Sequence, residues 1–216
     1  MKSISKIWPG LRRSARLLPR DRRGIAATEF AIFAPLMLLL FFGTVEFCSA
    51  VAVDRKVTLI ARTLSDLTSQ AAVAIDDNYL QNIFTASISI MAPYDASPTT
   101  ATLSEVYVDV NRNATITWSK AATIGNSNAT QATLATSTRH AGDNVTTVVP
   151  SQLLVAKTYL IFSEIGYSYV PTIGYVMAKT GVQLSDVSYT RPRQQTCVVY
   201  NGVPVLSGTP PACPLN

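Results

Sequence analysis

The chain has 216 residues, 48% of them hydrophobic, with three cysteines, one histidine and a formal net charge of +5. That length allows one modest domain plus an appendage, and the apolar content excludes wholesale disorder. Residues 1–23 hold eight of the 18 basic side chains and one of the 13 acids, so this tail carries +7 and the remainder sums to −2. A nucleic-acid-binding face would spread its cations over folded structure, often among aromatics, so the clustering argues against that class and no nucleic-acid partner is expected. Lys and Arg set directly before an apolar run instead fix topology, holding that end in the cytoplasm.

Ile25 to Val53 reads as one apolar segment of 29 residues, with Phe30 to Val45 free of charge. About 20 residues cross a hydrocarbon core, so this segment predicts a transmembrane helix with a turn or more to spare. Gly43 and Pro35 lie inside it, and membrane helices tolerate such a proline as a kink because neighbouring groups or water satisfy the carbonyl it frees. No second run of comparable length follows, and the chain is expected to cross the lipid bilayer once, with everything after Asp54 outside the cytoplasm. Glu29 interrupts the start of the run and Glu46 stands at its outer end. A carboxylate deep in lipid costs about 2.5–3.5 kcal/mol, and less near the interface.

Beyond the apolar segment the pattern becomes one-sided. Val57, Ile60, Ala61, Leu64 and Leu67 recur at helical spacing with Arg55, Lys56, Arg62 and Asp66 elsewhere on the circle, so the helix is expected to run on to about Gln70. A second helix is predicted from about Asn78 to Met91, with Leu80, Ile83, Phe84 and Ile88 as its apolar stripe and Asp76 and Asp77 at its start. "APYDASPTT" then breaks it. From Leu103, "LSEVYVDV" and "NATITWS" alternate like strands around "NRN", a hairpin turn. The Ser/Thr/Asn/Ala-rich stretch 121–144 reads as exposed loop or a sheet-edge excursion. Strand patterns return in "VTTVVP" (145–150), in "AKTYLIFSEIGYSYVP" and in "VQLSDVSYTRPR", whose aromatics read as sheet and core packing. The fold class is therefore α+β: a long N-terminal transmembrane helix carrying a domain with a mostly antiparallel sheet and a short helix. The expected divisions are a leader at 1–24, the membrane helix at 25–53, a helical stalk and second helix at 54–92, a β-rich domain at 93–196 and a cysteine-bracketed tail at 197–216.

Catalytic chemistry finds little material. His140, the single histidine, lies in a polar loop beside Gly142, and no serine sits in a G-x-S-x-G elbow. One histidine leaves too few ligands for a metal site, the adjacent Asp76 and Asp77 suit a helix start better than a shared proton, and no glycine loop cradles phosphate. No enzymatic activity, metal, cofactor or small-molecule substrate is expected. Cys48 reads as a small buried hydrophobe. Cys197 and Cys213, alone in the exported part, are expected to form a disulfide around a Pro/Gly-rich loop, worth on the order of 3 kcal/mol in the chain-entropy account. Arg191 and Arg193 flank Pro192 and read either as a solvated strand end or as contacts to carboxylates on a partner.

Three processing fates are open for the amino-terminal region. "AVA" at Ala50–Ala52 offers a signal-peptide cut, which the length of the apolar run and the helical pattern across it disfavour. An uncleaved signal anchor explains the arginines but leaves Glu29 as a cost without a purpose. The third is suggested by Gly24, followed by the apolar Ile25 and by Glu29 at plus five and Phe30 after it, which resembles a type IV prepilin processing site. Cleavage by a prepilin peptidase between Gly24 and Ile25 would remove the basic leader and leave an amine about 6 Å of helical rise from Glu29, where it or a staggered neighbour's could neutralise the carboxylate.

"GIAATEFAIFAPLMLLLFFGTVEF", with Pro35, Gly43 and Glu46, resembles the TadE-like minor pilins of tight-adherence (Flp) pilus systems. The distal segment "VPSQLLVAKTYLIFSEIGYSYVPTIG" followed by "SYTRPR" is similar to that family as well, including Glu164, Tyr167, Tyr169, Pro171 and Arg191-Pro192-Arg193. The resemblance implies a non-enzymatic accessory pilus subunit of a bacterial inner membrane, with its amino terminus cytoplasmic and its domain periplasmic, or incorporated in an extracellular pilus. Its implied partners are the prepilin peptidase, other pilins and the assembly machinery, with adherence and biofilm formation downstream. The alternative is an unprocessed single-pass periplasmic binding or adhesin module.

Overall fold

The computed structural model describes residues 24–72, 74–127, 129–171 and 181–200. A single helix, α1 (Ile25–Ser69, 45 residues), runs through Pro35 and stops where the one-sided pattern predicts. The chain divides into two units between Glu46 and Phe47, inside this helix. Thr28 and Thr44 donate their hydroxyls to the carbonyls of Ile25 and Leu40, both at 2.8 Å, so neither needs water on an otherwise apolar surface.

In the second unit, α1 presents Val53, Val57, Ile60, Ala61 and Leu64 to the core, each without solvent exposure. The helix α2 (Asp77–Ile88) buries Leu80, Ile83, Phe84 and Ile88 as the predicted stripe. Its start is fixed by Asp76, whose side chain accepts the Tyr79 N–H at 2.7 Å and satisfies one of the orphan donors of the first turn. Its far end passes into a 3-10 turn, Ser89–Met91. Lys56 closes this end from α1, with Nζ donating to the carbonyls of Ile90 and Ala92, each at 2.8 Å.

Five strands form one antiparallel sheet: β1 (Thr99–Val108), β2 (Ala114–Thr123), β3 (Thr133–Ala135), β4 (Thr158–Tyr169) and β5 (Val182–Thr190), in the spatial order β3-β2-β1-β4-β5. The predicted hairpin joins β1 to β2. Asp109 organises its turn, Oδ1 accepting the N–H groups of Asn111 at 2.8 Å and Asn113 at 2.7 Å, while Arg112 takes the left-handed region with φ 65°. One sheet face packs Ala101, Leu103, Trp118, Ile161, Ile165 and Tyr167 into the same core as α1 and α2. The other face holds a second core in which Val106, Val108, Ile116, Leu160 and Phe162 meet Val145 and Val149. β1 is therefore buried on both faces over most of its length.

One expectation is corrected. "VTTVVP" is not a strand: the N–H groups of Val148 and Val149 both return to the Val145 carbonyl, at 2.9 and 3.1 Å, in a tight turn. Its valines suit a strand by propensity, but in the turn Val145 and Val149 reach the sheet together and cover the second core. The segment 121–144 is mostly exposed and makes the expected sheet-edge excursion, with β3 as an edge strand. It supplies the end of β2 and all of β3, and it buries Ala122, Ile124, Ala132 and Ser137. Small side chains allow that close approach.

Phe84 is fully buried where α2 meets the main core, while Leu59, on the outer side of α1, is 50% exposed. Phe84→Ala is expected to destabilise the domain by about 3–5 kcal/mol, and Leu59→Ala by less than about 1 kcal/mol. Denaturant unfolding of the full chain in detergent, followed by far-UV circular dichroism, measures both.

Candidate functional site

The expected processing position, Gly24 and Ile25, lies at the start of the described residues. Gly24 immediately precedes the first residue of α1, Ile25, which is 50% exposed. Around Gly24 the space is open: an added Cβ would meet nothing within 4 Å. Glu29 and Phe30 follow on the same exposed first turns. Residues 1–23, the expected basic leader, lie outside the described residues.

From Phe30 to Phe42 the large apolar side chains point outward on every side of the helix. Ile32, Phe33, Leu36, Met37, Leu39 and Phe41 are each more than half exposed. A helix apolar all round is stable only inside lipid or against other apolar helices, because in water each such side chain forgoes about 1.5–3 kcal/mol of burial. α1 is the one described helix long and apolar enough to cross a membrane.

In the second unit three ion pairs join a Lys or Arg to a carboxylate among the described residues. Arg193, expected at a solvated strand end or against a partner, instead pairs with Asp66 of α1, and its backbone N–H donates to the Ser69 carbonyl at 2.8 Å. This pair closes the chain after β5 onto α1. Arg191 stays exposed. Arg139 makes a two-pronged pair with Glu164 of β4, one prong from Nη2 at 2.6 Å, and its guanidinium lies 5.3 Å from the Phe162 ring centre. Lys120 lies 3.3 Å from Asp77 and 4.8 Å from the Tyr200 ring centre. The Tyr200 hydroxyl and the Lys120 ammonium both hold the Asp77 carboxyl below its usual range. A cleft of about 600 Å³ beside β2 has Asp77, Lys120, Arg139 and His140 on its walls. Its lysine and arginine are both already paired with carboxylates, so the cleft offers little net charge to a ligand.

His140 is an exposed side chain 3.7 Å from Asp143. Among the described residues no group of three or more His, Cys, Asp or Glu is placed to hold a metal. Cys48, expected to be buried, is exposed on α1 as a free thiol, because it falls where the helix surface is still outward-facing and apolar. Cys197 is buried, whereas Cys213 lies outside the described residues, so the bridge between them stays an expectation.

Sequence reasoning missed one group of consequence, Glu105. It is 3% exposed and receives the Val198 N–H on Oε1 at 2.5 Å and the Thr117 hydroxyl on Oε2 at 2.7 Å. Its phase along "LSEVYVDV" was a usable signal. Glu105 shares its face of β1 with Leu103 and Tyr107, so the alternation already placed a carboxylate on a core-facing position.

No curated protein and no solved structure matches the chain. One family does, and the match falls within the apolar segment and the one-sided stripe that follows it, without reaching the distal segment 145–193. Residues 24–65 are similar to the family described as TadE-like protein.

Proposed function

We propose that the protein is a non-enzymatic minor pilin of a tight-adherence (Flp) pilus, made as a precursor and cut between Gly24 and Ile25 by a prepilin peptidase. The observation that carries this reading is the TadE-like match over residues 24–65, which covers the outward-facing apolar stretch of α1 and the one-sided stripe that follows it. In the precursor, the basic tail holds the amino terminus in the cytoplasm of a bacterial inner membrane and the second unit lies in the periplasm. Cleavage removes that tail, frees an amine near Glu29, and leaves an apolar helix that can pass from lipid into contact with the helices of other pilins and the assembly machinery. Adherence and biofilm formation then follow from the pilus. The folded second unit supplies what a bare helical subunit lacks, a surface set at one place in the assembly.

The open space around Gly24 makes the test clean, since Gly24→Ala adds one methyl group to a position with room for it. Expressed beside the peptidase, the wild-type protein is expected to begin at Ile25 and the Gly24→Ala protein to keep its basic tail, as read by amino-terminal sequencing and a shift in mass. A wild-type protein that keeps Met1 beside an active peptidase, or that begins at Val53, rules the proposal out.

A further inference from the structure

The last described residues, Cys197–Tyr200, form a strap across β1 and β2. The Trp118 Nε1–H donates to the Val198 carbonyl at 2.8 Å, and the Ile75 N–H donates to the Val199 carbonyl at 2.8 Å. At one end Tyr200 lies against Trp118, ring centres 5.9 Å apart, with its hydroxyl 2.5 Å from Asp77 Oδ1. At the other end Cys197 packs with Tyr107 and Tyr159. Between the two, the Val198 N–H rests on Glu105.

Glu105 sits at a β-bulge, where the register of β1 against β2 shifts between Glu105 and Val106. The bulge brings Thr117 into reach, and its hydroxyl donates to both the carboxylate and the backbone carbonyl of Glu105. The groups facing the carboxyl are Thr117 and Trp118 from β2, Tyr159 from β4 and Val198 from the strap, with Tyr107 and Cys197 packed against Tyr159. Its hydrogen-bond donors are neutral; the Lys120–Asp77 pair belongs to the Tyr200 end. A carboxylate held this way loses its water when the strap sits down and gains no counter-charge in exchange. If the strap lifts, that water returns.

We propose that Glu105 is a proton-operated latch for this strap: protonated, it lets Cys197–Tyr200 stay seated across β1 and β2, and ionised, it favours the strap's release and its own hydration. The direction follows from the carboxyl's titration. Burial is the largest effect and pushes it from 4.5 to about 7, against the opposing hydrogen bonds from Val198 and Thr117. Below the free value both states are protonated and seating carries no charge penalty. As pH rises toward 7 the released state ionises first, so seating weakens across that interval and then levels off above it.

Hydrogen exchange of the full chain in detergent micelles, read by mass spectrometry over the segment containing Val198 and Val199 and corrected for the intrinsic pH dependence of exchange, tests the latch. Protection is expected to fall on the order of 100-fold from pH 5 to pH 8. Glu105→Gln, which keeps the shape and an acceptor but cannot ionise, should flatten that response. Should Glu105→Gln fail to fold, Val198→Pro removes the donor without touching the sheet; the strap should then lose protection at both pH values and the Glu105 carboxyl, followed by carbon NMR, should titrate near 4.5. Protection in the wild type that does not change with pH overturns the proposal, as does a pH response that survives in Glu105→Gln or a Glu105 titration unmoved by Val198→Pro.

Discussion

Between Val45 and Val53 the apolar residues of α1 stop covering the whole circumference and draw in to a single stripe, and the functional reading depends on where that change falls. Before it, side chains such as Ile32 and Phe41 stand outward, more than half exposed among the described residues. After it, Val53, Val57, Ile60 and Leu64 are fully withdrawn from solvent and form one wall of the main core. The backbone is the same helix throughout. What differs is the medium each stretch requires, and an apolar surface on every side in the first stretch has no stable place in water.

The second unit is held by hydrophobic burial on both faces of its sheet, with polar contacts that mostly fix register and ends. Ser163 donates to the Ala61 carbonyl at 2.7 Å, tying β4 to α1 through a buried hydroxyl. Ser65 meets Ser188 at 2.9 Å and Thr190 at 3.0 Å, tying β5 to the same helix. Such short neutral contacts contribute about 1 kcal/mol each but allow few alternative alignments, because a slipped strand would leave the hydroxyls buried without partners. The ion pairs sit nearer the surface, and the Arg193–Asp66 pair, whose side chains are 58% and 39% exposed, serves more to choose a path for the chain than to stabilise it.

The parts of the fold governed by local periodicity were legible from the residues. The length of α1 follows from an unbroken helical pattern, α2 from its stripe and the capping Asp76, and the first hairpin from alternation on either side of "NRN". The parts set by long-range packing were not. Val145 and Val149 look like strand residues, but their environment is decided by β1, β2 and β4, far away in sequence. Arg193 looks solvated until the chain after β5 is seen to return to Asp66. Glu105 was half legible, since its phase put it inward while its neutral partners come from a bulge and from a strap some ninety residues on. At the amino terminus Gly24, Ile25, Glu29 and Phe30 form a local motif, and the family match over residues 24–65 covers all four positions.

The first half of α1 requires lipid or apolar helices around it rather than water. Single cysteines placed at Leu36, Leu39 and Arg62 in a Cys48→Ser background, labelled with an environment-sensitive fluorophore and reconstituted in lipid vesicles, measure that surrounding. Nitroxide-bearing lipids should quench the labels at 36 and 39 strongly and the label at 62 hardly at all, with water-soluble iodide giving the reverse order. Iodide reaching positions 36 and 39 as readily as position 62 would contradict an apolar surrounding for this half of the helix.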